Sequence, residues 1–134
     1  MDPLTHDALT GIWQLTGMDA GWRHHPIRVS ARGTLIYLPH GHVCVVLQIS
    51  PSARFRVRKT ISYIGRFRVD GDHVVHHVTS GTWPVRNGKE LRRRAELTGE
   101  HLRLTPARTP GGVSCTLLWQ RTTTTTNPKT ELHL

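Results

Sequence analysis

ISYIGRFRVDGDHVVHHVT, from Ile61 to Thr79, is the stretch on which the fold turns. Apolar and polar residues alternate through Ile61, Tyr63, Gly65, Phe67 and Val69, an Asp-Gly pair intervenes, and alternation resumes through Val74, His76 and Val78. Period-two alternation marks a strand with one buried face, and Asp70-Gly71 tolerates the positive φ of a two-residue hairpin turn. Pairing Val69 with Asp72 sets Phe67 opposite Val74, Gly65 opposite His76 and Tyr63 opposite Val78, all on one face. That face is apolar apart from an imidazole and a phenol, while Arg66, Arg68, His73 and His77 occupy the other.

Working outward, GIWQLTG (11–17) reads as a short strand with Trp13 and Leu15 on one face. GTLIYL (33–38) and HVCVVLQI (42–49) read as two strands turned at Pro39, His40 and Gly41, with Leu35, Tyr37, Val43, Val45 and Leu47 inward when Leu38 pairs with His42. ELRRRAEL (90–97) and HLRLT (101–105) turn at Gly99 and Glu100, and VSCTLLWQR (113–121) closes the series. Residues 1–10 offer one helical turn after Pro3, too short to stand alone.

This gives eight antiparallel strands and no long helix, the pattern of an all-β up-and-down barrel, which leaves no sheet edge exposed. Connections 18–32, 50–60, 80–89 and the one around TPGG (109–112) are long, whereas the turns between them are tight. In a meander the two sets lie at opposite ends. One end is therefore stitched shut, and function belongs at the other, under a mouth bearing Trp22, His24, His25 and Trp83. The expected barrel domain spans 1–121, and the threonine-rich residues 122–134 form a low-complexity tail.

A chain of 134 residues with net charge +9 and pI near 11 suits anionic partners. Cys44 and Cys115 lie in apolar runs without framework spacing, no apolar run approaches the roughly 20 residues that span a bilayer, and no leader pattern is visible. The expectation is a cytoplasmic protein without membrane contact. Nucleic acid is disfavoured because Tyr63 and Phe67 face away from the arginines, Arg56, Arg58, Arg66, Arg68, Arg92 and Arg94, that would spread over the outer wall. An acidic carrier protein delivering a tethered intermediate suits the charge equally well and the barrel better, and a homo-oligomer is compatible with the sequence.

GIWQL, GTLIYLPHGHVCV, YIGRFRVDGDHVVHHV, the arginine strand and a closing LLWQR, taken in that order, resemble the bacterial lipocalin-like domain family within the calycin barrels; the resemblance runs from Leu9 to Arg121. It implies a first-strand tryptophan covered by an arginine from the last strand, here Trp13 and Arg121, as a structural cation–π lid. It also implies a scaffold for small apolar molecules, with relatives that include cyclases and isomerases of natural-product biosynthesis. SPSARFRVRKT (50–60) does not read as the small helix such barrels often carry between their third and fourth strands.

By parity, the polar groups pointing into the lumen are Tyr37, Tyr63, His76 and Arg93, with Cys115 a soft neighbour. An inward guanidinium is costly unless an anion or a rich set of acceptors meets it. If Thr79 and Glu90 flank their connection as a pair, His76 falls opposite Arg93, which would keep it neutral and able to act as a base. The catalytic expectation is thus His76 moving a proton, Arg93 stabilising an enolate-like oxyanion and Tyr63 donating a hydrogen bond, with Tyr37, Phe67, Val78, Trp22, Trp83 and Cys115 contacting the ligand. That suits cofactor-free cyclisation or isomerisation of an oxygenated, largely apolar, polyketide-like substrate. The alternative is a non-catalytic carrier of a small hydrophobic ligand, and the third reading is a nucleic-acid binder. The histidines lack zinc-site spacing and a completing set of carboxylates, so no metal and no cofactor is expected.

Overall fold

The computed structural model describes residues 1–22, 25–27, 30–50, 59–82, 85, 87–106 and 113–122, without the side chains of residues 22, 25, 27, 113 and 114. Among these residues a one-turn helix, α1 (His6–Leu9), precedes nine strands: β1 (Gly11–Trp22), β2 (His25–Ile27), β3 (Ser30–Tyr37), β4 (His42–Ser50), β5 (Lys59–Asp70), β6 (His73–Gly81), β7 (Glu90–Thr98), β8 (His101–Pro106) and β9 (Val113–Arg121). From β3 to β9 each strand pairs antiparallel with the next, and β1 pairs with both β3 and β9. Without β2, which pairs with the end of β1, this is a closed eight-stranded up-and-down barrel, the architecture expected from the sequence. Among the described residues no helix is long and apolar enough to cross a membrane.

Alternation sorts the side chains as expected. In β4, Val43, Val45 and Leu47 are buried while His42, Val46 and Gln48 are exposed. The β3–β4 register matches the reading, with Leu35 opposite Val45 and the Leu38 N–H donating to the His42 carbonyl at 2.8 Å. In β7–β8, Thr98 faces His101 as expected, so Ala95 and Leu97 lie opposite Leu104 and Leu102.

Three expectations are corrected. The first strand does not stop at Gly17 but runs to Trp22 and returns through β2, so much of the anticipated irregular connection is ladder. A register shift between Leu15 and Gly17 against β9 is the reason: one extra residue breaks the period-two signal, and the Thr16 hydroxyl donates to the Leu118 carbonyl at 3.1 Å. In the organising hairpin the flanking pair is Asp70 with His73, which puts Gly71, at φ +61°, at the first central position of the turn. The inner face keeps its members, but Phe67 now stands opposite His76 and Gly65 opposite Val78. Between β6 and β7, His77 rather than Thr79 faces Glu90, so His76 lies opposite Leu91 and Arg93 opposite Val74.

The tightly turned end is a solid floor. Thr5 caps α1 by accepting from the Ala8 N–H at 3.1 Å, Leu9 is fully buried, and the Trp13 indole donates to the Leu9 carbonyl at 2.9 Å. Asp2 ties the N-terminal segment to the β7–β8 turn: its N–H donates to the Leu97 carbonyl and its carboxylate accepts from the Gly99 N–H, both at 2.7 Å. The Arg121 guanidinium lies 4.3 Å from the Trp13 ring centre, the lid that the resemblance implies, and donates to the Thr10 carbonyl at 2.7 Å. On the outer wall Arg68 pairs with Glu90 at 3.1 Å and Arg92 with Asp70 at 2.8 Å. Arg66 and Arg94 are exposed as expected, while Arg56 and Arg58 lie outside the described residues.

Candidate functional site

The barrel is packed unevenly along its axis. Toward the floor Trp13, Tyr37, Val43, Phe67, Val74 and Leu97 fill the lumen. Toward the end where the long connections join, inward residues leave a cavity of about 240 Å³, just below the roughly 300–1,000 Å³ of ordinary small-molecule sites. Its wall is mainly Leu35, Val45, Leu47, Leu91, Leu104, Leu117 and Trp119, with Tyr63, His76, Arg93 and Lys89 as the polar members.

His76 stands where packed floor and open cavity meet, 2% exposed. Its Nε2 lies 2.6 Å from the Tyr37 hydroxyl on the floor side, and its Nδ1 lies 2.6 Å from the Tyr63 hydroxyl on the cavity side. Strand direction sets this order: β3 delivers Tyr37 at its floor end, and β5 delivers Tyr63 before it reaches the hairpin. The bulge where Gly65 meets β6 makes the approach possible, because a Cβ on Gly65 would overlap the His77 carbonyl and one on Gly81 would come within 2.8 Å of the Tyr63 Cβ.

Burial governs the electrostatics. It pushes His76 down to about 3, helped by the positive charge of Arg93. It raises Tyr63 to about 12 and Tyr37 well above the ordinary phenol value, and Arg93 opposes both shifts. All three groups are therefore neutral near pH 7. A neutral imidazole has one N–H and one lone pair, so only one phenol donates to it and the other accepts. Both ring nitrogens are engaged.

Arg93 points into the lumen as parity required, half-buried and on the cavity wall, but it is offset from His76 rather than opposite it. Among the described residues it pairs with no carboxylate; its hydrogen bond is a long one, 3.4 Å, to the Arg92 carbonyl. Cys115 is half-buried, its thiol raised by burial and drawn partly back by Arg93. Tyr37, Phe67 and Val78, expected to touch ligand, sit in the packed part instead: Phe67 stacks on His6 at 4.6 Å and tilts against Tyr37 at 4.5 Å. Trp83, His24 and the side chains of Trp22 and His25 lie outside the described residues.

The cavity also recruits residues the sequence reading passed over. Leu91, Leu104, Leu117 and Trp119 share strand faces with Arg93, Leu102 and Cys115, so parity alone could have named them. Lys89 sits before β7, where no alternation signal reaches. The Trp119 indole N–H is buried and has no hydrogen-bond partner among the described residues. No group of three or more His, Cys, Asp or Glu side chains among those residues is placed to hold a metal ion.

No family profile matches this chain, and no curated protein sequence does. Among solved structures, a mutant of the fluorescent protein UnaG has a similar fold: it is 12% identical, the alignment covers 88% of this chain and 99% of that one, and the TM-score is 0.42.

Proposed function

We propose that this barrel is a lipocalin-like binding protein that takes one small, largely apolar molecule into its mouth half and meets an oxygen of that molecule with Tyr63 and Arg93. The observation that carries the reading is the apolar cavity of about 240 Å³ whose wall includes the hydrogen-bonded pair Tyr63 and His76 together with Arg93, whose charge acts on both. Burying an apolar ligand there gives roughly 25 cal/mol per Å² of apolar surface removed from water, and the polar groups set its orientation.

Cofactor-free cyclisation or isomerisation of a polyketide-like substrate is the second reading. Arg93 favours it, because a half-buried guanidinium with no carboxylate partner among the described residues, near a phenol, suits a developing enolate. Proton abstraction would need a free base, and His76 has both ring nitrogens engaged by tyrosines, which favours binding over catalysis.

Native mass spectrometry of freshly purified protein, with titration by the apolar dye N-phenylnaphthylamine, tests the binding reading. Saturable dye binding that is lost in a folded Leu91→Trp variant, which fills the cavity, is the expected result. Equal dye affinity in wild type and the filled variant would place the dye elsewhere and overturn it. His76→Ala then separates the two readings, since turnover of a candidate substrate lost with binding spared would favour catalysis.

A further inference from the structure

We propose that Tyr37, His76 and Tyr63 form a one-way hydrogen-bond chain that holds the Tyr63 hydroxyl as a proton donor toward the cavity, so that the site selects ligands whose polar end is a pure acceptor: a ketone, an ester or a carboxylate. This rests on the reading of the cavity as a ligand site.

The polarity follows from counting protons. Two phenols and a neutral imidazole carry three hydrogens, and the two contacts between them use two. The third is left at one end. At the Tyr37 end it would be stranded: Tyr37 is fully buried, its hydroxyl meets only His76 among the described residues, its ring packs against Phe67, and it does not line the cavity. Buried donors without partners are rare and unfavourable. At the Tyr63 end the cavity receives it. Tyr37 therefore donates to Nε2, the Nδ1–H donates to the Tyr63 oxygen, and the Tyr63 O–H is free for a ligand.

The other polar wall groups have the same sense. Arg93 and Lys89 only donate, and no Asp or Glu lines the cavity among the described residues. The lone pair of His76 is taken by Tyr37. Among the described side chains a ligand acceptor thus finds several donors, whereas a ligand donor finds only the Tyr63 oxygen. Tyr37, which does not reach the cavity, becomes a positioning residue for ligand choice.

Two measurements test this. In the ligand-free protein, ¹⁵N-labelled histidine should show His76 as the Nδ1–H tautomer, its signals assigned by their loss in His76→Gln; the Nε2–H tautomer would overturn the proposal. Methyl naphthyl ketone should bind about tenfold more tightly than ethylnaphthalene, the ratio of about one good hydrogen bond. In Tyr37→Phe the imidazole loses its donor at Nε2 and the chain can reverse, so that ratio should fall toward one while ethylnaphthalene affinity stays put. An unchanged ratio, or a parallel loss of both affinities, would refute the positioning role. Failure of both naphthalenes to bind would overturn the cavity reading itself, and the tautomer measurement would still decide the polarity.

Discussion

Tyr37 and Tyr63 hold opposite edges of one imidazole, each hydroxyl 2.6 Å from a ring nitrogen of His76, and they are the two tyrosines of the whole chain. A bulk tyrosinate signal therefore reports on the buried site alone.

Alkaline titration of the tyrosinate absorption band should show no ionisation near pH ~10, where free phenols titrate. Burial raises both phenols, Tyr63 to about 12, so the fold favours their neutral forms. The stability this contributes is fully present below pH ~10 and is lost as pH rises through the folded values. Tyrosinate absorbance and loss of the β-sheet circular dichroism should then appear together. One equivalent titrating reversibly near pH ~10 in an intact barrel would contradict the buried triad.

On the acid side the sign reverses. His76 is lowered to about 3, first by burial and second by Arg93, so the folded state binds fewer protons than the unfolded chain between that value and pH ~6.5. Its contribution is complete above pH ~6.5 and shrinks as pH falls, at up to ~1.4 kcal/mol per pH unit. Urea unfolding of wild type and of a folded His76→Gln variant between pH 7 and pH 4.5 should show the wild type losing stability more steeply, since the other histidines are common to both. Parallel slopes would mean that the imidazole is protonated in the folded state.

Much of this site was legible in the sequence, for one physical reason. Side chains alternate across a strand, so parity alone turned Tyr37, Tyr63, His76 and Arg93 inward. Parity is blind to a slip of two residues, and both corrections at the site are of that size: Phe67 rather than Gly65 faces His76, and Leu91 rather than Arg93 does. Turn chemistry could have fixed the first, had the glycine of Asp70-Gly71-Asp72 been placed at the first central position rather than the second. The long β6–β7 connection could not have fixed the other. The His76–Tyr37 contact spans strands that are not neighbours, and the cavity is a difference between side-chain volumes; neither leaves a periodic trace.

Gly65→Ala should be among the costlier single-methyl additions in the molecule. Its new Cβ meets the backbone carbonyl of His77, which cannot rotate away, so the β5–β6 ladder beside His76 must open. The expected loss is ~3 kcal/mol, at the upper end for overpacking, with a shift in the His76 imidazole resonances. Gly71→Ala provides the contrast: its φ of +61° strains an alanine by ~1 kcal/mol, but nothing lies within 4 Å of the added methyl. Denaturant midpoints that rank the two variants in the opposite order would mean that the bulge is not as tight as described.

Arg121 latches the floor. Besides covering Trp13 at 4.3 Å, its guanidinium donates to the Thr10 carbonyl at 2.7 Å and the Ala8 carbonyl at 2.5 Å, and pairs with Glu100 at 3.4 Å. The two carbonyls belong to the end of α1, a helix too short to persist by itself. Arg121→Ala leaves them without their donor and should cost ~2–3 kcal/mol, with faster hydrogen exchange along residues 2–10. Arg121→Lys should recover only a minor part, because one ammonium cannot stack on an indole and fork to two carbonyls at once. Dye binding at the far end of the barrel should be unchanged in both variants under conditions where they stay folded. Full recovery by lysine would reduce the latch to a simple charge, and a coupled loss of dye affinity would show that floor and cavity move as one body.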